Sequence, residues 1–223
     1  MTSMSFATLD RAINGGLGPA VVPGESREIL VGILQGRVRL AAVRHPLGFF
    51  CLPVIRDGDL GVCIHVWTYA VPGANVTTSN VHCHSWDLLS FVLYGQVSHA
   101  LFELEDDRDG PYRVFEVVSR GDLDQLGPTP RRVRCRQRER RVIGPGASFR
   151  LTAGQFHSSG VAGGTEAATV VLGRTMGTTD LTIGAQGIVD HRVRRQNCSA
   201  EETSRVVQAA IRGLELANRG VSD

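Results

Sequence analysis

The chain has 223 residues, which is enough for one domain with a substantial hydrophobic core. Hydrophobic residues make up 42% of it and charged residues 21%, a composition typical of an ordinary soluble globular protein. The 24 basic residues, all of them arginine, and the 22 acidic residues give a formal charge of +2, which argues neither for nor against a polyanionic partner.

The N-terminus has neither a basic region nor a long apolar run, and no apolar stretch approaches the roughly 18 residues that a membrane span needs. We therefore expect a cytoplasmic protein with no membrane partner. The cysteines are odd in number and form no Cys-x-x-Cys pair, so they are predicted to be reduced thiols. They are Cys51, Cys63, Cys83, Cys135 and Cys198.

Residues 1–44 are predicted to form an N-terminal helical segment. Residues 5–13 fit a short helix that Ser5 caps, because glycines and a proline follow it directly. A second helix is predicted from Glu25 to Leu40, since Pro23 and Gly24 precede a run with apolar residues at helical spacing.

Residues 45–184 contain short apolar runs that turn signals separate, which predicts an antiparallel sandwich or barrel. The residues 49–55 and 60–69 read as a hairpin. The segment 120–130 is predicted to be a loop and the segment 131–143 a strand.

The strand pattern is lost after Gly184, so residues 185–223 are predicted to be a C-terminal extension with an amphipathic helix. Ser199 and Glu202 have the spacing of a capping box, and Gly220 is predicted to end the helix. The helix is expected to pack on the outside of the barrel or on a second subunit, which would make a homodimer.

The residues with the strongest chemical signal are His82 and His84. In an extended segment they point to the same side, and Cys83 points to the other. A third imidazole from His157 would complete a set of three neutral nitrogen donors with open coordination positions, as a catalytic metal site requires.

The two segments together resemble the motifs of the cupin superfamily over about residues 45–175. His82-x-His84, three residues, Leu88, six residues and Gly95 reproduce the first motif, with Leu88 in place of its glutamate. Gly146, five residues, Thr152-Ala-Gly154, two residues and His157 reproduce the second, with Thr152 in place of its proline. The resemblance implies a mostly β fold, a double-sheet antiparallel jelly-roll barrel, with short N-terminal helices and a C-terminal helix.

Because leucine cannot bind a metal, two ligand sets remain open: the three histidines, which we prefer, or the same set completed by Asp87. Asp87 could instead be a carboxylate that orients an imidazole or a turn.

Within the superfamily, the order of segments is most similar to the thiol-dioxygenase-like group, which holds ferrous iron with three histidines. The chain departs from that group at Leu52, Leu89 and Arg174, where the residues that recognise cysteine would fall, so oxidation of free cysteine is not expected. Arg174 could bind a carboxylate or phosphate, or could reach solvent from the end of its strand. The substrate pocket that the resemblance implies is lined by Phe50, Leu52, His65, Trp67, Leu88, Leu172 and Arg174.

The predicted function is therefore a non-haem Fe(II)-dependent oxygenase that acts on a small organic substrate and dioxygen. One alternative is a cupin isomerase, lyase or hydrolase that uses Zn, Mn or Ni as a Lewis acid. Another is a cupin that binds a small ligand without catalysis. The arginines between Arg131 and Arg141 alternate along a strand, which is typical of a solvated face, so no nucleic-acid partner is expected.

Overall fold

The computed structural model describes residues 4–74 and 78–219. Three helices lie at the two ends of this part of the chain: α1 (Phe6–Asn14), α2 (Gly18–Leu34) and α3 (Ala200–Arg219). Gly220, the predicted end of α3, lies outside the described residues. The strands between the helices are β1 (Val43–Arg44), β2 (Phe50–Asp57), β3 (Leu60–Trp67), β4 (His82–Cys83), β5 (Trp86–Tyr94), β6 (Val97–Asp106), β7 (Tyr112–Arg120), β8 (Leu123–Ile143), β9 (Ser148–Leu151), β10 (His157–Val161), β11 (Ala167–Thr175), β12 (Asp180–Ala185), β13 (His191–Arg194) and β14 (Gln196–Asn197).

The strands form two antiparallel sheets. The first sheet, here called the helix-side sheet, has the order β14-β1-β2-β3-β11-β5-β9. The second, here called the outer sheet, has the order β13-β8-β6-β10-β4-β12-β7, and β8 also pairs with β7. The predicted mostly β, double-sheet antiparallel architecture with N-terminal helices and a C-terminal helix is confirmed.

The helix-side sheet is covered by the three helices on the face that points away from the outer sheet. A continuous apolar core lies between them, and each fully buried aliphatic or aromatic side chain there contributes about 1.5–3 kcal/mol to stability. Gly18 at the start of α2 lies directly on Phe91, because an added Cβ would meet the ring at 2.7 Å. The core includes Leu9, Val22, Leu30, Phe50, Leu52, Ile64, Phe91, Leu172, Val206 and Leu214.

The helix predictions were accurate at the capped ends. Ser5 caps α1, with its hydroxyl accepting from the Thr8 amide at 3.2 Å. The capping box of α3 is present: the Ser199 amide donates to the Glu202 carboxylate at 2.9 Å, and the Glu202 amide donates to the Ser199 hydroxyl at 3.2 Å. α3 packs on the helix-side sheet and on α2, so its apolar face is covered within the chain.

The prediction for α2 was wrong, because the helix runs from Gly18 to Leu34 and contains Pro23 instead of following it. Pro19 lies in the first turn, where its missing N–H costs nothing. Pro23 removes one backbone hydrogen bond. The burial of Val22 and Leu30 on the sheet favours the helix in spite of this loss.

Two predictions about strands were also wrong. The segment 120–130 is not a loop, because β8 begins at Leu123 and pairs with β7 and β13. Its Pro128 lies beside a register shift in β7, where the ladder of hydrogen bonds is already interrupted. The strand pattern also continues beyond Gly184: β13 and β14 are short edge strands that pair with β8 and β1.

Most arginines of β8 lie on an exposed face, and several of them pair with acidic side chains of the neighbouring segments, as expected of a solvated strand face. Arg136 and Arg138 both bind Glu103, while Arg134 binds Asp107. Among the helices of residues 4–74 and 78–219, none combines the length and apolar character that crossing a bilayer requires.

Candidate metal centre

Three strand ends bring the histidines together. His82 in β4 is the direct antiparallel partner of His157, the first residue of β10. His84 follows β4 by one residue and lies on the same side as His82, as the alternation of side chains predicts. Cys83, between them, packs into a separate apolar cluster with Val114 and Ile183, among others.

The imidazole nitrogens converge within the reach of one ion. The Nε2 atoms of His82 and His84 are 3.2 Å apart. Donor atoms of His82, His84 and His157 all lie within 4.8 Å of one another. Nitrogens bound to one metal at about 2.0–2.1 Å are separated by about 3 Å, so small ring movements suffice to complete the set.

Backbone carbonyls orient two of the three rings. The Nδ1 atom of His82 lies 2.9 Å from the carbonyl oxygen of Asn80, and that of His157 lies 3.0 Å from the carbonyl oxygen of Gln155. Because a carbonyl can only accept, each Nδ1 carries the proton and each Nε2 presents a lone pair. The third ring, His84, is stacked on Trp86 at a centroid distance of 4.2 Å.

The surroundings keep the three imidazoles neutral. Burial lowers the pKa of His82, and it lowers the pKa values of His84 and His157 well below the usual range. Proximity of the rings to one another lowers the pKa values of His84 and His157 further. Neutral imidazole is the form that binds a metal, so the three histidines are already in the protonation state that a cation requires.

The turn before β10 fixes the position of His157. Gly154 has a φ of +81°, a conformation that favours glycine, and its amide donates to the His84 carbonyl at 2.9 Å. The Ala153 amide donates to the Asp87 carboxylate at 2.8 Å. Asp87 thus holds the turn that carries His157, and it is not part of the group of converging donor atoms.

A cavity of about 440 Å³ opens beside the histidines, between the two sheets. Of the seven residues predicted to line it, His65, Trp67 and Leu88 do so. The prediction was wrong for Phe50, Leu52, Leu172 and Arg174. The first three are buried between the helix-side sheet and the helices, and the Arg174 guanidinium lies 5.7 Å from the Phe6 ring of α1.

The error has a physical cause. The residues next to the cavity are those in register with His65, namely Cys51 on β2 and Thr169 on β11. The sequence analysis had assigned the alternate residues of both strands to the cavity face, an error of one residue. Both faces of the helix-side sheet are covered, one by helices and one by the cavity. As a result, successive residues such as Val170, Val171 and Leu172 are all buried. The strand then has no alternation of polar and apolar residues that would show which side chains face the cavity.

Several residues of the site were missed by the sequence analysis. Trp86 stacks on His84. Asp180 lines the cavity, and its carboxylate accepts a hydrogen bond from the Ser85 amide. Cys51 and Cys63 were treated only as reduced thiols, although they lie with His65 on the cavity wall. The predicted hairpin of residues 49–69 contained the signal, since pairing its two strands places Cys51 opposite His65.

The donor set fits a first-row transition metal. Three neutral nitrogens on rigid strands leave coordination positions open, and imidazole suits iron, zinc, copper and nickel. No carboxylate belongs to the group of converging donors in the described part of the chain, so a hard ion such as Mg²⁺, which prefers oxygen ligands, fits poorly.

No family model matches the sequence, and no curated protein matches it. Among solved structures, the chain is similar to the hydroxypropylphosphonic acid epoxidase from S. wedmorenis at 14% identity and a TM-score of 0.33, over 57% of this chain and 50% of that one. It is similar to the DMSP lyase DddQ from Ruegeria pomeroyi DSS-3 at 16% identity and a TM-score of 0.34, over 60% of this chain and 50% of that one. A cupin superfamily protein from Desulfitobacterium hafniense DCB-2 matches at 9% identity and a TM-score of 0.32, over 56% of this chain and 76% of that one. The aligned part spans about half the length of the epoxidase and of the lyase, and these scores assign neither a family nor an activity.

Proposed function

We propose that the protein is a cupin-type metalloenzyme, a non-haem Fe(II)-dependent oxygenase that acts on a small organic substrate. The observation that carries the proposal is the convergence of three neutral imidazoles on the wall of a cavity between the two sheets. His82, His84 and His157 would hold the ion. When bound, Fe(II) supplies open coordination positions and the one-electron chemistry that dioxygen requires.

The chain contributes the positioning of the ligands. The carbonyls of Asn80 and Gln155 hold the protons of His82 and His157 at Nδ1, away from the cavity, so that both Nε2 atoms face the ion. The Asp87 carboxylate fixes the turn before His157, and Trp86 limits the rotation of His84. Packed strands and these contacts to the ligands keep the three imidazoles in the same arrangement from one turnover to the next.

The cavity supports a small substrate with an apolar body. Its volume of about 440 Å³ lies in the range of pockets that enclose small molecules. Phe49, Trp67 and Leu88 form an apolar part of its wall, against which the apolar body of a substrate can pack. Ser90 and Ser159 add hydroxyls that can orient polar groups of the substrate.

The test is Fe(II) loading followed by measurement of dioxygen uptake. The metal-free protein is loaded anaerobically with one equivalent of Fe(II), then mixed with oxygenated buffer and a panel of small thiols, hydroxy acids and aromatic acids. We expect uptake that depends on iron, on one class of substrate and on His157. The His157→Ala variant should lose it, whereas His191→Gln, a histidine on β13 outside the converging set, should retain it.

A protein that binds the ion through the three histidines but holds Zn or Ni when purified, and consumes no dioxygen, would contradict the oxygenase proposal. In that case the Lewis-acid chemistry of an isomerase, lyase or hydrolase becomes the better account. A protein that binds no metal at all would contradict both.

A further inference from the structure

A second cluster of metal-binding side chains lies on the helix-side sheet, apart from the three histidines. Cys51 on β2 is the register partner of His65 on β3. Cys63 precedes His65 by two residues, so all three side chains point to the cavity face of the sheet. Their sulfur and nitrogen atoms lie within 4.8 Å of one another, and the three residues line the cavity.

The chemistry of this cluster differs from that of the first site. Two thiols and one imidazole suit a soft or borderline cation, above all Zn(II). Three imidazoles, by contrast, suit iron as well as they suit zinc. Two thiolates also neutralise the charge of a divalent ion, which favours its binding on a partly buried wall.

Arg56 supports the anionic form of the sulfur. Its Nη2 atom donates to the Cys63 Sγ at 3.1 Å, so a positive charge already lies beside this thiol. An N–H donor to a metal-bound thiolate is the kind of outer contact that stabilises metal sites. Because a Zn(II) ion with two thiolates is neutral overall, the nearby guanidinium does not oppose its binding.

An independent observation points to a ligand at the same place. The Thr169 side chain is 1% exposed, and its hydroxyl oxygen has no hydrogen-bond partner. Thr169 lies on β11, the strand that flanks β3 opposite β2, where it is the register partner of His65, and it lines the cavity. A buried hydroxyl without a partner costs about 1–3 kcal/mol, and a metal-bound water would satisfy it.

We propose that Cys51, Cys63 and His65 form a second metal site that binds one Zn(II) ion through two thiolates and one imidazole. Binding breaks the S–H bond of each protonated thiol, forms two Zn–S bonds and releases those protons to the buffer. The fourth position faces the cavity, where the Thr169 hydroxyl can hold a water. This inference does not rest on the proposed oxygenase activity.

The experiment is an anaerobic titration of the reduced, metal-free protein with Co(II), which replaces Zn(II) and gives a sulfur-to-cobalt charge-transfer band only when thiolates bind it. We expect the wild type to bind two equivalents and to develop the band, and Zn(II) to abolish it by displacement. Cys63→Ser and Cys51→Ala should each lose one equivalent and most of the band. His82→Ala should lose the other equivalent and keep the band, which separates this site from the first.

Cys135→Ser, a cysteine on the outer sheet, is the matched control and should behave as the wild type. If a cysteine variant does not fold, His65→Gln removes the nitrogen donor without changing either thiol, and it should also lose one equivalent. The proposal is overturned if the reduced wild type shows no charge-transfer band or if the Cys51→Ala/Cys63→Ser double variant keeps the band at full strength. It is equally overturned if freshly purified protein contains Cys51 and Cys63 joined quantitatively as a disulfide.

Discussion

Asp87 offers a sharp test of how the three-histidine site is held, because its two predicted roles give opposite results. The carboxylate accepts the Ala153 amide at 2.8 Å and does not converge with the imidazoles. If it only fixes the turn, Asp87→Asn keeps an acceptor oxygen and loses the charge, whereas Asp87→Ala loses both. If it binds the metal, either change removes a ligand.

The magnitudes follow from the hydrogen bond. A bond to a charged acceptor contributes about 1.5–3 kcal/mol and a neutral one about 0.5–1.5 kcal/mol, so Asp87→Asn should cost about 1 kcal/mol of folding free energy. For a chain of this size that lowers Tm by about 2–4 °C. Asp87→Ala leaves a backbone amide without its partner and should cost about 1–3 kcal/mol.

The assays are thermal unfolding of the metal-free protein and metal stoichiometry after loading. We expect both variants to bind the same number of equivalents as the wild type, with affinity reduced by about 10–100-fold because the turn before His157 is loosened. Asp190→Asn, an exposed carboxylate on the loop before β13, is the control and should change neither quantity. Loss of one metal equivalent in Asp87→Asn without loss of stability would refute the reasoning and make Asp87 a ligand.

Three further predictions follow from the site. Thr169→Val replaces an unpaired buried hydroxyl with a methyl group of the same shape, so the metal-free protein should gain about 1 kcal/mol in chemical denaturation, and a loss of stability would contradict this. In Gly173→Ala the added Cβ would meet the Trp86 ring at 2.8 Å and displace it from His84, so metal affinity should fall by about tenfold in a chelator competition, and an unchanged affinity would be contrary evidence. Burial holds the pKa values of His45 and His84 well below 6.5, so the unfolded chain takes up protons first as the pH falls. The stability of the metal-free protein should therefore be constant between about pH 7 and pH 8 and decline below about 6.5, by at most about 1.4 kcal/mol per pH unit for each such histidine. Urea midpoints that rise on acidification would exclude this account.

The sequence predicted those features that depend on local chemistry. Ser5, and Ser199 with Glu202, marked helix starts correctly, because a capping hydrogen bond lies within a few residues of chain. The relative orientation of His82 and His84 could be predicted from their spacing, since residues two apart on a strand lie on the same face. The meeting with His157 depends on the pairing of β4 with β10 and could be inferred only through the resemblance in spacing.

The features that depend on tertiary contacts were not predictable in the same way. The phase of β2 and β11 could not be read from polarity, because Phe50 and Cys51 are both buried, one against the helices and one at the cavity. Pro23 marked a helix boundary by local propensity, yet tertiary burial kept it inside α2. The strand over 123–130 depends on pairing with β7 and β13, which its own prolines and glycine gave no reason to expect.

The most direct test of the central claim is a crystal structure of the Fe(II)-loaded protein with anomalous diffraction recorded at the iron edge. The account predicts one strong peak at about 2.0–2.2 Å from the Nε2 atoms of His82, His84 and His157. An iron peak elsewhere, or three histidines that remain unbound while iron is present in the crystal, would contradict it.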